Sequence, residues 1–236
     1  MAESRCNNST SAAIDSSVEY ARGAFKKVYK GKYTEGSRTG QPCVSKVFIS
    51  GSVFENSYFQ HEMDVVKKAT EIVRAFNGLE LINKRIVINQ PEIWVFRDSQ
   101  ALTLIEPLIE NFEKFNSNSG WTQDTTSWGQ AMQALAHYSF HYSNGQLTLC
   151  DLQGGVYSDG IVLTDPVVMS TDRRFGPTDL GKDGIDSFFH HHVCNNFCRS
   201  SWTRPSRRMG LFPVVKGTTM MEVKTQTGRN LLTQRF

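Results

Sequence analysis

A compact group of metal-ligand residues constrains this 236-residue chain more than any other feature. His192, Cys194 and Cys198 fall within seven positions, in the sequence HVCNNFC. Thiolate and imidazole are the ligands that zinc prefers, and a structural zinc site holds four of them in a tetrahedron. A fourth ligand must therefore come from elsewhere, so the fold has to bring a distant segment of the chain to this turn.

The residues alone leave four candidates for the fourth ligand open: His137, His141, His61 and Cys150. His137 and His141 are four positions apart, so on a helix they would share one face. No spare carboxylate accompanies the cluster, and nothing marks an open position for water, which predicts a structural rather than a catalytic metal site. The alternative is a pair of buried cysteines at the end of a His-rich helix, without a metal.

The order of periodic segments predicts an α+β fold. Apolar residues at three- and four-residue spacing predict a helix over residues 59–77, ended by Gly78. Runs rich in Val, Ile and Phe predict strands. The predicted strands cover residues 43–50, 85–90, 92–98, 101–106 and 146–151, the later helices cover 128–138 and 183–191, and a polar, Asn-rich loop covers 116–126. Strands with one helix come first and helices dominate later, which favours segregated rather than alternating elements.

Both ends of the chain differ in composition from the middle. Residues 1–17 are small and polar, with almost no aromatic or branched residues, which predicts disorder. From residue 204 to the end there are seven Lys or Arg and one Glu, whereas the whole chain carries a net charge of +3. We therefore expect a folded domain over residues 18–203 and a basic, solvated tail over 204–236.

Cysteine usage and hydropathy indicate the class of protein. Five cysteines are an odd number that fits a disulfide framework poorly, which favours a reducing, cytoplasmic setting. No run reaches the roughly 18 apolar residues that a membrane span needs. The first residues lack the apolar core of a secretory signal. We expect a cytoplasmic protein without a membrane span.

Three charged residues in or after strands indicate phosphoryl-transfer chemistry. Lys46 lies inside CVSKVFIS and follows the glycine-bearing segment YARGAFKKVYKG, and a turn before a strand lysine can cover phosphates. Asp151 and Asp165 each end an apolar run, in LTLCDLQGG and LTDP, where carboxylates can hold Mg²⁺ or orient a hydroxyl. Taken singly, each has an ordinary explanation as a surface lysine or a turn aspartate.

The order of these segments resembles the alpha-kinase family over residues 20–202. The matching string includes LIEPLIENFEKFNSNSG, LAHYSFHYSNGQLTLCDLQGG, LTDP, FGPTDLGKDGI and HHVCNNFC. The resemblance implies a two-lobed, protein-kinase-like α+β fold, with a β-rich N-lobe over about residues 18–105 and a zinc-stabilised C-lobe over about 106–203. It implies transfer of the γ-phosphate of ATP to Ser or Thr of a protein substrate, with Mg²⁺ at the active site and a structural Zn²⁺.

Residue roles follow from the resemblance, position by position. Lys46 matches the lysine that contacts the phosphates of ATP. Glu106, with Ile109 close by, matches the interlobe glutamate that contacts adenine. Arg22, in the loop over the phosphates, is a weaker match.

The remaining matches concern catalysis and metals. Asp151 matches the catalytic aspartate, and Gln153 and Asp165 match the magnesium ligands, of which the aspartate can also carry phosphate as an aspartyl adduct. Lys114 and Asn118 are weaker matches in the EKFNSNSG stretch. The zinc ligands implied by the family are His137, His192, Cys194 and Cys198.

Two positions depart from the family pattern. The interval from Asp151 to Asp165 is longer than in some members, which predicts a longer hairpin over GGVYSDGI. Asp179 stands where an asparagine is common in the glycine-rich loop, and we expect it to add negative charge near the site.

The alternative function is a catalytically inactive, zinc-stapled binding module whose basic tail contacts nucleic acid or an acidic protein. That interpretation leaves four residues unexplained: Lys46, Asp151, Gln153 and Asp165. We therefore expect ATP and a protein bearing Ser or Thr as partners, and no nucleic acid.

Overall fold

A computed structural model describes residues 5–49 and 57–221. Within them the strands are β1 (Ser9–Arg22), β2 (Lys26–Gly36), β3 (Pro42–Phe48), β4 (Arg85–Ile88), β5 (Glu92–Val95), β6 (Leu102–Pro107), β7 (Phe112–Lys114), β8 (Leu147–Cys150), β9 (Gln153–Tyr157), β10 (Gly160–Leu163) and β11 (Val167–Ser170). The helices are α1 (Ser57–Asn77), α2 (Ser127–Tyr142) and α3 (Gly181–His191). Two compact units contain these elements.

The N-terminal unit comprises the described parts of Ser4–Met63 and Asn89–Ile109. Its five strands form an antiparallel sheet in the order β1-β2-β3-β6-β5. A small apolar cluster of Tyr33, Cys43 and Ile105 packs on it. Strands β3 and β6, which carry Lys46 and Glu106, are hydrogen-bonded neighbours in this sheet, so their register is fixed.

The prediction of disorder for residues 1–17 is wrong from Ser9 onward, because β1 pairs with β2 along most of its length. This strand lies at the edge of the sheet and most of its side chains are exposed. Main-chain hydrogen bonds to β2 hold it in place along its length, and of its apolar side chains only Ala12 and Ile14 pack on the small cluster of this unit. Composition does not report such bonds, which is why the residues read as disordered. Residues 1–4 lie outside the described part.

The C-terminal unit comprises Asp64–Ile88 and Glu110–Met221. It contains a four-stranded sheet, β4-β10-β9-β7, and a two-stranded sheet, β11-β8. Helix α2 begins after Thr126, whose Oγ1 accepts a hydrogen bond from N of Gly129 at 3.0 Å. Most of α2 is buried on all sides, as expected for a helix through the core of a unit.

The boundary predicted between two lobes at residues 105 and 106 differs from the division in the structure. Residues 64–88 belong to the C-terminal unit because β4 pairs in parallel with β10, Ile86 lying opposite Ile161. Asn77 at the end of α1 strengthens this link, since its side chain donates to O of Ile86 at 2.8 Å and accepts from N of the same residue at 3.2 Å. Long-range strand pairing of this kind has no local sequence signal.

The domain edge predicted near residue 203 is also wrong. Residues 204–221 form no helix or strand, yet they belong to the C-terminal unit, and N of Met221 donates to O of Pro177 at 2.8 Å. Partly buried Phe212 and Met221 pack against the core. This part of the tail is therefore attached to the unit, although most of its side chains are exposed. Residues 222–236 lie outside the described part.

The element types match the α+β prediction, although several bounds shift. The strand predicted over 92–98 ends at Val95, and the helix predicted over 128–138 continues to Tyr142. The hairpin predicted from GGVYSDGI is present as β9 and β10, which pair antiparallel. No helix in the described part of the chain combines the length and apolar character that crossing a membrane requires.

Candidate active site and metal centre

A buried ion pair occupies the N-terminal unit. Nζ of Lys46 lies 2.6 Å from Oε1 of Glu106, and the two side chains are 5% and 4% exposed. In the register of β3 and β6, Lys46 lies opposite Leu104 and Val44 opposite Glu106. Because alternate residues of a strand share a face, the lysine and the glutamate meet diagonally on one side of the sheet. The lysine is thus not the outward surface residue that a lone strand lysine usually is.

The other two nucleotide-contact candidates of this unit lie at strand ends. Arg22 ends β1 and lies opposite Lys27 of β2, and its exposed guanidinium pairs with Glu19 at 2.7 Å. Ile109 follows β6 and is buried. The turn after Arg22 is closed by a hydrogen bond from N of Gly23 to O of Lys26 at 2.9 Å.

In the C-terminal unit, the Asp151 carboxylate is fully buried and held by three donors. Its Oδ1 lies 3.2 Å from Nζ of Lys114 and accepts from N of Asn118 at 3.2 Å. Its Oδ2 accepts from Oγ1 of Thr218 at 2.5 Å. Burial raises the pKa of Asp151 above its ordinary value, while the Lys114 ammonium and the hydrogen bonds act in the opposite direction. A carboxylate in this environment can orient a hydroxyl and accept its proton.

Strand registers bring Gln153 and Asp165 to the same end of the unit. Gln153 begins β9, and its O accepts from N of Thr164, the residue before Asp165, at 2.9 Å. Asp151 follows β8, whose last residue lies opposite Val167 of β11. An amide and two carboxylates therefore lie at neighbouring strand ends, and oxygen ligands of this kind suit Mg²⁺.

Both aspartates have left-handed backbone conformations. The φ angle is 53° at Asp151 and 46° at Asp165. This region is uncommon for residues other than glycine, although Asp and Asn enter it more readily than most. Non-glycine residues in such conformations cluster at functional sites, where the surrounding structure holds them.

The loop predicted as polar and Asn-rich is buried over its first part, in contrast to an ordinary surface loop. Asn116, Ser117, Asn118 and Ser119 are all fully buried. Oδ1 of Asn116 accepts from N of Leu152 at 2.9 Å, which ties this loop to the segment that carries the catalytic candidate. These side-chain hydrogen bonds add to main-chain ones, such as that from N of Ser117 to O of Trp121 at 2.9 Å, so that burial is possible.

Sequence reasoning missed Thr218, which contacts Asp151 from the tail. The basic charge of the tail suggested a solvated segment, and a lone Lys-Gly-Thr-Thr sequence carries no motif. The apolar run MGLFPVV just before it gave little signal either, because Met209, Leu211, Val214 and Val215 are exposed and Phe212 alone of the run packs against the core.

The expectation that Asp179 adds charge to the site is replaced by a structural role. Asp179 is 1% exposed, and its carboxylate accepts hydrogen bonds from four groups: N and Oγ of Ser170, N of Phe175 and N of Gly181. The distances run from 2.5 to 3.2 Å. This carboxylate thus fastens the glycine-rich loop to β11 and to the start of α3.

The structure brings His137, His192, Cys194 and Cys198 together, with their ligand atoms within 4.8 Å of one another. Sγ of Cys194 lies 3.4 Å from Nδ1 of His137 and 3.7 Å from Nε2 of His192, and Sγ of Cys198 lies 3.9 Å from the same Nε2. A tetrahedral zinc would separate its sulfur and nitrogen ligands by about 3.6 Å. The donor set and its spacing fit Zn²⁺.

The protonation states of the cluster also fit a cation. Nε2–H of His137 donates to O of Thr203 at 3.1 Å, which leaves the Nδ1 lone pair facing Cys194. Burial lowers the pKa of His137 to about 4 and that of His192 to about 3, so both rings are neutral ligands at neutral pH. Burial raises the pKa of Cys198 to about 12, and a coordinated cation is what would make such a thiol a thiolate.

The other candidates for the fourth ligand lie elsewhere. His141 is on the same helix as His137, but its Nδ1 accepts from N of Thr203 at 3.3 Å. Cys150 is fully buried at the end of β8, and His61 belongs to the N-terminal unit. Of the four candidates, the structure brings His137 to the cluster, which is the residue that the family resemblance implies.

Comparison with known proteins gives a family match over most of the chain. The alpha-kinase family profile matches residues 21–198. Alpha-protein kinase 1 of Dictyostelium discoideum is 31% identical over 189 residues, which cover 78% of this chain and 13% of that protein. That protein and two other relatives are much longer than this chain, which covers no more than 15% of the length of each of them.

Solved structures show the same fold. An alpha kinase from Entamoeba histolytica superposes with a TM-score of 0.73 at 20% identity, covering 89% of this chain and 84% of that one. The alpha-kinase domain of myosin-II heavy chain kinase A, solved with AMP-PNP, superposes with a TM-score of 0.70 at 22% identity, covering 79% of this chain and 86% of that one. The predicted fold class is confirmed.

Proposed function

Since the chain belongs to the alpha-kinase family, we propose that it is an ATP-dependent kinase that phosphorylates Ser or Thr of protein substrates. One observation carries the proposal. The buried Asp151 carboxylate is held by Lys114 and Asn118 and already accepts a hydrogen bond from a threonine hydroxyl. A positioned carboxylate next to a hydroxyl is what transfer to Ser or Thr requires.

Lys46 and Glu106 take the nucleotide-binding roles. The lysine ammonium contacts the phosphates of ATP, and the glutamate holds the lysine and contacts adenine, with Ile109 beside it and Arg22 over the phosphates. The buried pair of Lys46 and Glu106 supports this role, because a desolvated ammonium attracts phosphate more strongly than a hydrated one. The alpha-kinase domain of myosin-II heavy chain kinase A was solved with AMP-PNP, which supports ATP as the donor.

Gln153 and Asp165 would hold Mg²⁺, which supplies charge neutralisation for the phosphates when bound. Asp151 orients the acceptor hydroxyl and accepts its proton. Lys114, 3.2 Å from Asp151, keeps that carboxylate aimed and stabilises its charged form. Most of the rate acceleration then comes from positioning and electrostatics, as expected for a loose phosphoryl-transfer transition state.

His137, His192, Cys194 and Cys198 hold a structural Zn²⁺ that joins the end of α3 to α2 and takes no part in the chemistry. The ligand set has no spare position for water, which supports the structural role. None of the five cysteines is joined to another in a disulfide, which supports a reducing, cytoplasmic setting.

The test is transfer from labelled ATP with Mg²⁺ to a generic basic protein. Wild type is expected to transfer phosphate, and Lys46→Ala and Asp151→Ala are expected to lose at least about a hundredfold in rate. Lys68→Ala, which removes an exposed pair with Glu71 on α1, is the matched control for handling and folding. Equal rates for wild type and the Asp151→Ala variant would contradict the proposal.

A further inference from the structure

A short segment of the tail lies along the buried loop beside Asp151. We call residues 215–219 the tail segment and residues 117–121 the Asn-Ser loop. N of Val215 donates to Oγ of Ser119 and that hydroxyl donates to O of Val215, both at 3.1 Å. The tail segment and the Asn-Ser loop both belong to the C-terminal unit, where they contact each other.

A second pair of hydrogen bonds holds the tail segment at Thr219. Nδ2 of Asn118 donates to O of Thr219 at 2.7 Å, and Oδ1 of Asn118 accepts from N of Thr219 at 2.9 Å. Both pairs of hydrogen bonds are therefore made to main-chain groups of the tail segment rather than to its side chains. Contacts of this kind recognise an extended peptide of almost any sequence, in the way that strand addition does.

Thr218 lies between the residues held by these two pairs of hydrogen bonds. Its hydroxyl donates to the Asp151 carboxylate, with Oγ1 2.5 Å from Oδ2. Asn118 serves both partners, since its main-chain N donates to Oδ1 of Asp151 at 3.2 Å. The segment thus has the three features of a bound acceptor peptide: a held main chain before the hydroxyl, a held main chain after it, and the hydroxyl on the base.

The neighbouring side chains indicate a preference. Nζ of Lys216, two residues before Thr218, lies 5.2 Å from the centre of the Trp121 ring. A cation over an indole face is the most favourable case of this interaction. At Gly217 an added Cβ would meet nothing within 4 Å, so the position before the hydroxyl accepts a side chain.

Resting on the proposed kinase activity, we propose that Asn118, Ser119 and Trp121 form the acceptor-peptide subsite, and that the tail segment occupies it with Thr218 as an acceptor in cis. The substrate class is then an extended peptide with a Lys or Arg two residues before the accepting Ser or Thr. The tail segment competes with such peptides for the subsite.

The transfer to Thr218 balances with ATP as the donor. The bond between the γ-phosphorus and the bridging β–γ oxygen breaks, and a bond from that phosphorus to Oγ1 of Thr218 forms. The hydroxyl proton passes to the carboxylate of Asp151, and ADP leaves.

The first test is site mapping on the full chain after incubation with ATP and Mg²⁺. Phosphate is expected on Thr218 and not on the adjacent Thr219, and the Asp151→Asn chain is expected to carry none at either. Phosphate on Thr219 alone, or on neither in a chain that phosphorylates other proteins, would overturn the assignment of Thr218.

The second test makes the same substitution once in a substrate peptide and once in the tail segment of the chain, because the two compete for the subsite. The substrate is a peptide of sequence LFPVVKGTTMM with its second threonine replaced by valine, which leaves one acceptor. Lys216→Ala in the peptide is expected to raise its KM about two- to fivefold, and Lys216→Ala in the chain is expected to lower the KM of the unchanged peptide by a similar factor. Trp121→Leu in the chain should remove both differences. A peptide with Gly217→Ala is the control and should keep the original KM.

Changes of the same sign, or no change, would overturn the subsite while the kinase activity stands. Loss of transfer to the generic basic protein as well would overturn the proposed function, and this inference with it.

Discussion

Lys46 and Glu106 form a charge pair that is almost fully removed from solvent, with Nζ and Oε1 2.6 Å apart. They come from β3 and β6, strands that are antiparallel neighbours, and they meet because each sits on the same face of the sheet. Removing two charges from water is costly, so a pair in this position is retained for a reason other than stability alone. Binding of triphosphate and adenine supplies that reason in the proposed function.

The first prediction concerns this pair. Lys46→Met should lower the free energy of unfolding by about 3 kcal/mol, because it leaves the Glu106 carboxylate buried without the ammonium. Adding Glu106→Gln should restore part of that loss, since a neutral amide needs no counter-charge, although activity should stay absent. Urea denaturation measures both effects. A double variant no more stable than Lys46→Met would contradict the account.

The second prediction concerns Asp151. Asp151→Asn keeps the shape of the side chain but cannot accept a proton, so we expect a loss of activity of about a hundredfold or more. Burial raises the pKa of Asp151, so the folded chain binds that proton more readily than the unfolded chain. The contribution of the carboxyl to stability therefore falls as pH rises from its unfolded pKa through its higher folded pKa.

Asparagine does not titrate, so the stability of Asp151→Asn relative to wild type should rise as the pH rises through this window. Denaturation series at several pH values measure the difference in stability between the two chains. A relative stability of Asp151→Asn that rises toward acid pH would show that the raised pKa is wrong.

The third prediction concerns the metal. Purified protein should contain one zinc, and Cys198→Ser or a strong chelator should remove it and lower the free energy of unfolding by several kcal/mol, because the binding energy of a structural metal is folding energy. His141→Ala is the matched control, since His141 lies on the same helix as His137 but outside the cluster. Elemental analysis and thermal denaturation give the two readouts. Well-folded wild type without zinc would refute the assignment.

The fourth prediction concerns Asp179. Asp179→Ala should lower the free energy of unfolding by about 2–4 kcal/mol, because it leaves buried donors of Ser170, Phe175 and Gly181 without their acceptor. Asp183→Ala is the control: its ion pair with Arg173 is about half exposed on both sides and should contribute no more than about 0.5 kcal/mol. Equal losses for the two variants, measured by urea denaturation, would rule out the anchoring role.

Local pattern was sufficient for much of the fold. The helix of α1 was predicted from apolar spacing and the strand of β3 from its branched residues, because both signals lie within a few positions of each other. The edge strand β1 was not predicted over residues 9–17, because its sequence has no such pattern. Its stability comes from main-chain pairing with β2, and no side-chain pattern encodes that pairing.

The site residues divide in a similar way. Lys46, Asp151 and the turn of Cys194 and Cys198 could be proposed as site residues from the sequence because chemistry and spacing coincide within one segment. The sequence-based role of Asp179 was different from the observed one, because the residue type shows a negative charge but not the four donors that surround it.

The metal-ligand cluster shows where the sequence by itself was sufficient and where it was not. Residue types and short spacings identified three of the four residues of the candidate metal site, a strand lysine and two aspartates at strand ends, and the order of these segments indicated the family to which the chain belongs. Tertiary structure brings His137, which lies 57 positions before Cys194, to the cluster as the family resemblance implied, and it alone places Thr218 on Asp151 across 67 positions. Sequence patterns report periodicity over a few residues, whereas contacts at such separations depend on how whole elements pack.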